Sequence, residues 1–253
     1  MSTPQDARKN RIAAAFSAQA RAYDSVGAVQ RAVAGRLAAR IAARVSGPRN
    51  ILEIGCGTGF LSAELAGYFP TADLCLTDIA PAMLACAQAR LGARADYLLL
   101  DGEHPQGLTQ RFDLIVSSLA LQWFGNLQAG LGRLAGWLAP GGCLMFATLG
   151  ADSFQEWRRA HAALGLACGA PDYPGAENFP WPEAVSSRLE AEHLLQPYAS
   201  GRGFARSLKI LGAREPAAGY HPLNPGSMRR VLAALEGGVS ITYHILYGEC
   251  APA

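Results

Sequence analysis

Glu53, Gly55, Gly57, Gly59 and Asp78 are the residues whose types and spacing point most directly to chemistry. The run Ile51-Leu52-Glu53-Ile54 is apolar apart from one acid, and it passes straight into Gly55-Cys56-Gly57-Thr58-Gly59. Alternate glycines remove the Cβ atoms that would keep a ligand off the backbone, and they permit positive φ. The helix expected from Phe60 onward presents unpaired N–H groups and the positive end of its dipole to the same place. The glycines read G-x-G-x-G rather than the G-x-G-x-x-G that holds a pyrophosphate. A carboxylate at Glu53 would repel a pyrophosphate but suits a ligand with ammonium and sulfonium charge. Asp78 follows the loop by about twenty residues, the interval at which an α/β fold offers a carboxylate to ribose hydroxyls. A glycine-rich turn alone is only a tight loop; the two acids make it a ligand cradle. Cys56 lies inside that loop, where its small size explains it better than its thiol does.

The elements that must position these residues follow from periodicity. After the first strand and its helix, residues 72–78 read as a short strand ending in Asp78, and 97–101 as another ending in Asp101. Residues 111–118 and 143–148 supply two further strands, the last entered through Pro140-Gly141-Gly142. Helices are expected over 80–91, begun by Pro81, and over 127–138. Strands alternating with helices imply a parallel sheet with right-handed crossovers. Ahead of this core, Ile12, Phe16 and Ala20, then Val29, Val33, Leu37 and Ile41, recur at helical spacing. Two helices are therefore expected, broken near Tyr23-Asp24-Ser25 and ended by Gly47-Pro48. Beyond Leu149 the alternation stops. Helices are expected over 153–164, 182–189, 204–211 and 227–235, a loop over 169–182, and strands over 192–199 and 239–247.

Outside the cradle, Gln122-Trp123 falls just past a strand's C-terminal end, where open α/β sheets place ligands; Trp123 could equally be a core aromatic. Arg206 and Lys209 stand at i and i+3 on one helix face, as a solvated basic face also would. Tyr243 and His244 point to opposite faces of the last strand, so one at most reaches a given pocket.

The 253 residues carry a net charge of +2 and are 50% hydrophobic. This argues against disorder, and no basic track suggests nucleic acid. The N-terminus has no apolar stretch of the secretory kind, and no run is long enough for a membrane helix. Six scattered cysteines without C-x-x-C pairing suit reduced thiols in a cytoplasm rather than a disulfide frame or a zinc site.

With Asp101 and the strand end at Ser117–Leu119, the cradle resembles the S-adenosylmethionine-dependent methyltransferases of the Rossmann-like class. The likeness covers residues 50–149. It implies an α/β fold whose mainly parallel seven-stranded sheet has an antiparallel last strand, with N-terminal helices and a helical substrate cover. One domain is expected over 1–253: a helical lid over 10–47, the cofactor core over 50–149, and the substrate cover over 150–253. By the same resemblance the glycine loop lies against the methionine part and Asp101 beside the adenine. Gly55, Cys56, Gly57, Gly59, Ile79, Met83, Gly102, Ser117 and Leu119 join Glu53 and Asp78 in the cofactor set.

Segments outside that core narrow the family. Phe16, Ala20, Tyr23-Asp24 and Gln30, Leu121-Gln122-Trp123 with Gly125-Asn126-Leu127, and Thr148-Leu149 with Ser153-Phe154-Gln155-Glu156 are three such segments. Ser207-Leu208-Lys209 with Gly212-Ala213, and Thr242-Tyr243-His244, complete the set. Together they are similar to the malonyl-acyl-carrier-protein O-methyltransferases that open bacterial biotin synthesis. One departure is Ser200-Gly201-Arg202-Gly203, a shorter and more glycine-rich approach to the Ser-Leu-Lys helix. The resemblance implies methyl transfer from S-adenosylmethionine to the free carboxylate of malonyl-acyl-carrier protein. The products are a methyl ester and S-adenosylhomocysteine, and no metal is implied. A carboxylate of pKa about 4 is already ionised, so no general base is expected. Tyr23, Gln122, Trp123, Arg206, Lys209 and Tyr243 would position the substrate. Arg206, Lys209, Arg214, Arg229 and Arg230 could instead face an acidic carrier. Two other readings stay open: methylation of a small free acid or a quinone, or a methyltransferase fold kept as an assembly partner. The expected protein is a cytoplasmic monomer without nucleic-acid or membrane partners.

Overall fold

The computed structural model describes residues 4–213, 215–217 and 219–252. Its strands are β1 (Asn50–Ile54), β2 (Asp73–Asp78), β3 (Asp96–Leu99), β4 (Phe112–Ser118), β5 (Leu138–Leu149), β6 (Val185–Tyr198) and β7 (Val239–Pro252). They form one seven-stranded sheet in the order β3-β2-β1-β4-β5-β7-β6. The first five run parallel, whereas β7 lies antiparallel between β5 and β6. The helices are α1 (Pro4–Val26), α2 (Ala28–Arg44), α3 (Phe60–Tyr68), α4 (Pro81–Leu91), α5 (Leu127–Ala135), α6 (Gln155–Ala162), α7 (Gly201–Ile210) and α8 (Pro225–Ala233). The architecture is the one expected, antiparallel strand included.

The central strands are buried on both faces, which is why they read as unbroken apolar runs. Ile51, Leu114 and Val116 pack with α2, α3 and α6 on one side of the sheet. Leu52, Ile54 and Ile115 pack with α5, Phe179 and Trp181 on the other. The chain order reverses direction at β1 and β4, so the crevice beyond their C-terminal ends is the natural ligand position.

Several boundaries differ from expectation. Residues 23–25 stay helical, Ser25 Oγ donating to Ala22 O, and the break falls at Gly27. A Cβ there would lie 3.0 Å from the Phe60 ring, so α2 starts tight against α3. Pro140-Gly141-Gly142 does not precede β5 but lies inside it, beside a register shift between Phe112 and Leu114. The helix expected over 182–189 is absent: Val185 already pairs with Pro252, and β6 runs on to Tyr198↔Val239. Helix-forming Leu, Glu and Ala within β6 are overridden by that long antiparallel pairing. No described helix is long and apolar enough to cross a membrane.

Candidate active site

The glycine loop leaves β1 with Gly55, Gly57 and Gly59 at φ 69°, 56° and 88°. At Gly55 an added Cβ would also sit 2.3 Å from the Ala120 Cβ, so the position admits glycine alone. Gly59 ends the turn as the left-handed residue before α3. Below the loop, Glu53 is buried and accepts a 2.6 Å bond from Ser62 Oγ of α3. Burial pushes its carboxyl up to about 7; the Ser62 bond opposes this and the charge of Asp78 adds to it. Asp78, at the end of β2, accepts from Gly57 N (2.9 Å) and Ala80 N (2.8 Å). Burial still raises it to about 6 against those backbone bonds. Two acids held above their ordinary range beneath a glycine cradle fit a cationic, ribose-bearing ligand.

A first cavity is bounded by Glu53, Gly55, Cys56, Gly57, Asp78, Ile79, Met83, Asp101, Gly102, Leu119, Tyr23 and Trp123. Nearly the whole expected cofactor set is thus gathered. Gly59 and Ser117 are not on the wall. Gly59 packs against Leu91, and Ser117 Oγ donates to Ile54 O within the sheet. Burial drives the Cys56 thiol well above its ordinary value, as an inert wall group requires.

A second cavity opens beside the first, lined by Gln122, Trp157, Tyr173, Leu208, Lys209 and Tyr243 among others. Five residues bound both cavities: Phe16, Tyr23, Gln30, Leu119 and Trp123. This shared wall is where two ligands would meet. Leu119 and Phe154, two of the non-glycine residues at positive φ (52° and 62°), both line the second cavity; such strain clusters at ligand sites.

The expected positioning residues divide. Tyr23 and Trp123 stand on the shared wall, Trp123 edge-on to Phe16 at 5.5 Å. Gln122 lines the second cavity, but its amide is engaged: Nε2 donates to Leu119 O at 2.7 Å and Oε1 accepts from Thr148 Oγ1 at 3.4 Å. The Tyr243 hydroxyl is 2.9 Å from that of Tyr198, and burial raises its pKa further. Lys209 lines the second cavity as an exposed residue, and exposed Arg206 lines neither cavity. Neither tail cation stands at the shared wall, because α7 turns its Phe204 and Ser207 face inward. Arg214 lies outside the described residues.

Lys9 was missed. It is buried, and its Nζ meets Asp101 at 2.5 Å and Glu103 at 2.8 Å. Burial alone would raise Glu103, but the bonds from Lys9, Gly125 N and Asn126 N, with the charge of Lys9, hold it low. At the other end of α1, Thr58 Oγ1 donates to Asp24 at 2.6 Å, and Arg90 also pairs with Asp24. α1 therefore straps the first cavity from the Asp101 end to the glycine loop. The signal was its position, in helical register with Ile12, Phe16 and Ala20, where the neighbouring Arg8 and Arg11 are not.

His244 faces away from both cavities, against Asp152 and His193. These three could hold a metal by proximity. However, the two rings stack at 13°, so their in-plane lone pairs do not converge, and His244 Nδ1 already accepts from Asp152 N.

Fold and site together define a methyltransferase, and the family described as a methyltransferase domain matches residues 52–144. Two solved methyltransferases share the fold alone. One is the plantazolicin methyltransferase BamL with S-adenosylhomocysteine (TM-score 0.54, 16% identity, 97% of this chain and 96% of that one). The other is the N-methyltransferase NodS of Bradyrhizobium japonicum WM9, also with S-adenosylhomocysteine (TM-score 0.50, 19%, 87% and 86%). Curated relatives are closer. The malonyl-[acyl-carrier protein] O-methyltransferase of Magnetococcus marinus is 40% identical over 89% of this chain and 87% of its own length. The biotin biosynthesis bifunctional protein BioCD of Bordetella avium is 47% identical over 94% of this chain. The chain spans only about half of that bifunctional relative, 51% of its length. The chain belongs to the malonyl-[acyl-carrier protein] O-methyltransferase family.

Proposed function

We propose that the chain transfers a methyl group from S-adenosylmethionine to the free carboxylate of a malonyl thioester on acyl-carrier protein, giving the methyl ester that enters biotin synthesis. The observation that carries this reading is the shared wall, whose polar members are neutral. Tyr23 cannot serve as a base there: burial, then the charges of Asp78 and Asp24, hold its phenol protonated. No histidine or acid bounds both cavities among the described residues. His161 lies deeper in the second, with Nδ1 2.8 Å from Trp157 O. A wall without a base suits an acceptor that is ionised beforehand, and it disfavours a quinone phenol, which must lose a proton.

Glu53, Asp78 and the glycine loop, with Ile79, Met83, Asp101 and Gly102, would hold S-adenosylmethionine, which supplies an electrophilic methyl on a positive sulfur. A carboxylate oxygen forms the new C–O bond as the C–S bond breaks with its electron pair to sulfur, and no proton moves. The Tyr23 hydroxyl and Trp123 N–H would orient the carboxylate, while Phe16 and the α1 strap keep water out. Neutral donors fix an oxygen without drawing off the charge that attacks, as a bidentate arginine would. Lys209, Arg206, Arg229 and Arg230 are then free to face the carrier. On this reading the chain is one unit, with lid, core and cover contributing to one site. Purified protein, S-adenosylmethionine and malonyl-carrier protein should yield the methyl ester. An acyl arm of unchanged mass would refute the reading.

A further inference from the structure

We propose that Gln30 is a catalytic residue of this methyl transfer, its amide bridging the methyl and the acceptor carboxylate where the two cavities meet. The inference rests on the reaction read above. Gln30 is the third residue of α2 and bounds both cavities. Its Oε1 is buried and has no hydrogen-bond partner among the described residues. Folded proteins keep few such atoms, because a buried polar group without a partner opposes folding. The neighbouring polar groups are engaged, Gln122 by Leu119 and Thr148, Tyr243 by Tyr198. Gln30 alone among these is held ready without a protein partner.

Its place is rigid. The α2 N-terminus begins at Gly27, which is closed against Phe60, and Val29, Val33 and Leu37 anchor the helix in the core. The chemistry also fits an amide better than other groups. Nε2 can donate to one carboxylate oxygen and leave the other aimed at the methyl. Oε1 can accept the polarised C–H groups of a methyl on positive sulfur, a weak bond that fixes direction. A glutamate here would repel the acceptor, and a lysine would repel the sulfur and hold the attacking oxygens too firmly. The step remains as written: a C–O bond forms, the C–S pair goes to sulfur, and no proton is exchanged.

Gln30→Met keeps the volume and removes both polar ends. With malonyl-carrier protein its kcat should fall about a hundredfold, while affinity for S-adenosylhomocysteine stays unchanged and Tm holds or rises. A residue with only a structural role would lower Tm together with activity. Should Gln30→Met fail to fold, Gln30→Asn, which keeps the amide but withdraws it, should show the same fall in kcat. Wild-type kcat and KM in the folded variant would overturn the proposal, as would a Tm loss that accounts for the activity loss. If the wild type methylates no malonyl arm, the reaction reading fails separately. Binding to the S-adenosylhomocysteine complex then decides: malonyl-pantetheine preferred over acetyl-pantetheine by wild type but not by Gln30→Met supports the role of Gln30. Equal preference in the two proteins removes it.

Discussion

Glu53 and Asp78 are buried acids whose folded-state values, about 7 and about 6, lie above the roughly 4 of an unfolded chain. Between those limits the folded protein binds more protons than the unfolded one. Their stabilising contribution is therefore complete below about pH 4 and is lost as pH rises through 6 to 7. A cationic ligand reverses the preference by favouring the ionised forms. Affinity for S-adenosylmethionine should rise between about pH 5.5 and 7.5, and binding near pH 6.5 should release protons. Titration calorimetry in two buffers of different ionisation enthalpy measures that release; a heat independent of buffer would contradict it. Both acids were legible from the sequence, Glu53 because it stands two residues before the glycine loop and Asp78 because it ends a strand about twenty residues after it. Gln30 was legible only as part of a family pattern, since its unpartnered state is a property of the packed site.

Among the elements, the parallel strands β1, β2, β4 and β5 were readable because burial writes apolar runs, and α2 because Val29, Val33, Leu37 and Ile41 recur at helical spacing. β6 was not. The first half of this edge strand carries exposed Ser186, Ser187 and Arg188, and only its register with β7 makes it a strand. The strap α1 was readable as a helix, but the function of its ends depends on tertiary contacts. Lys9→Met should test it, leaving Glu103 buried and Asp101 partly buried without their cation. Losing one partner of a buried pair costs about 3–5 kcal/mol, and the 30% exposure of the Asp101 side chain argues for the lower end. Urea denaturation should show a loss of about 3 kcal/mol, with weaker S-adenosylmethionine binding. Unchanged stability would mean that the strap is not held there.

For the molecule as a whole, the net charge of +2 hides an uneven distribution. Arg202, Arg206 and Lys209 on α7, with Arg229 and Arg230 on α8, are exposed and have no acidic partner among the described residues. Lys209 and Met228 bring this face to the second cavity. Paired replacement Arg229→Glu and Arg230→Glu should lower kcat/KM for malonyl-carrier protein about tenfold at low salt. Turnover of a malonyl-pantetheine lacking the carrier should be unaffected. Equal losses on both acceptors would contradict carrier docking at this face. At the same scale, the place of β7 bears on how the protein is made. Strands leave the ribosome in chain order, so β6 emerges before β7, its partner, and β5 waits with an open edge. At roughly 5–20 residues per second that interval lasts seconds. During it the nascent chain carries a finished glycine cradle beside an unpaired edge, prone to the wrong neighbour until the last strand slides between the two.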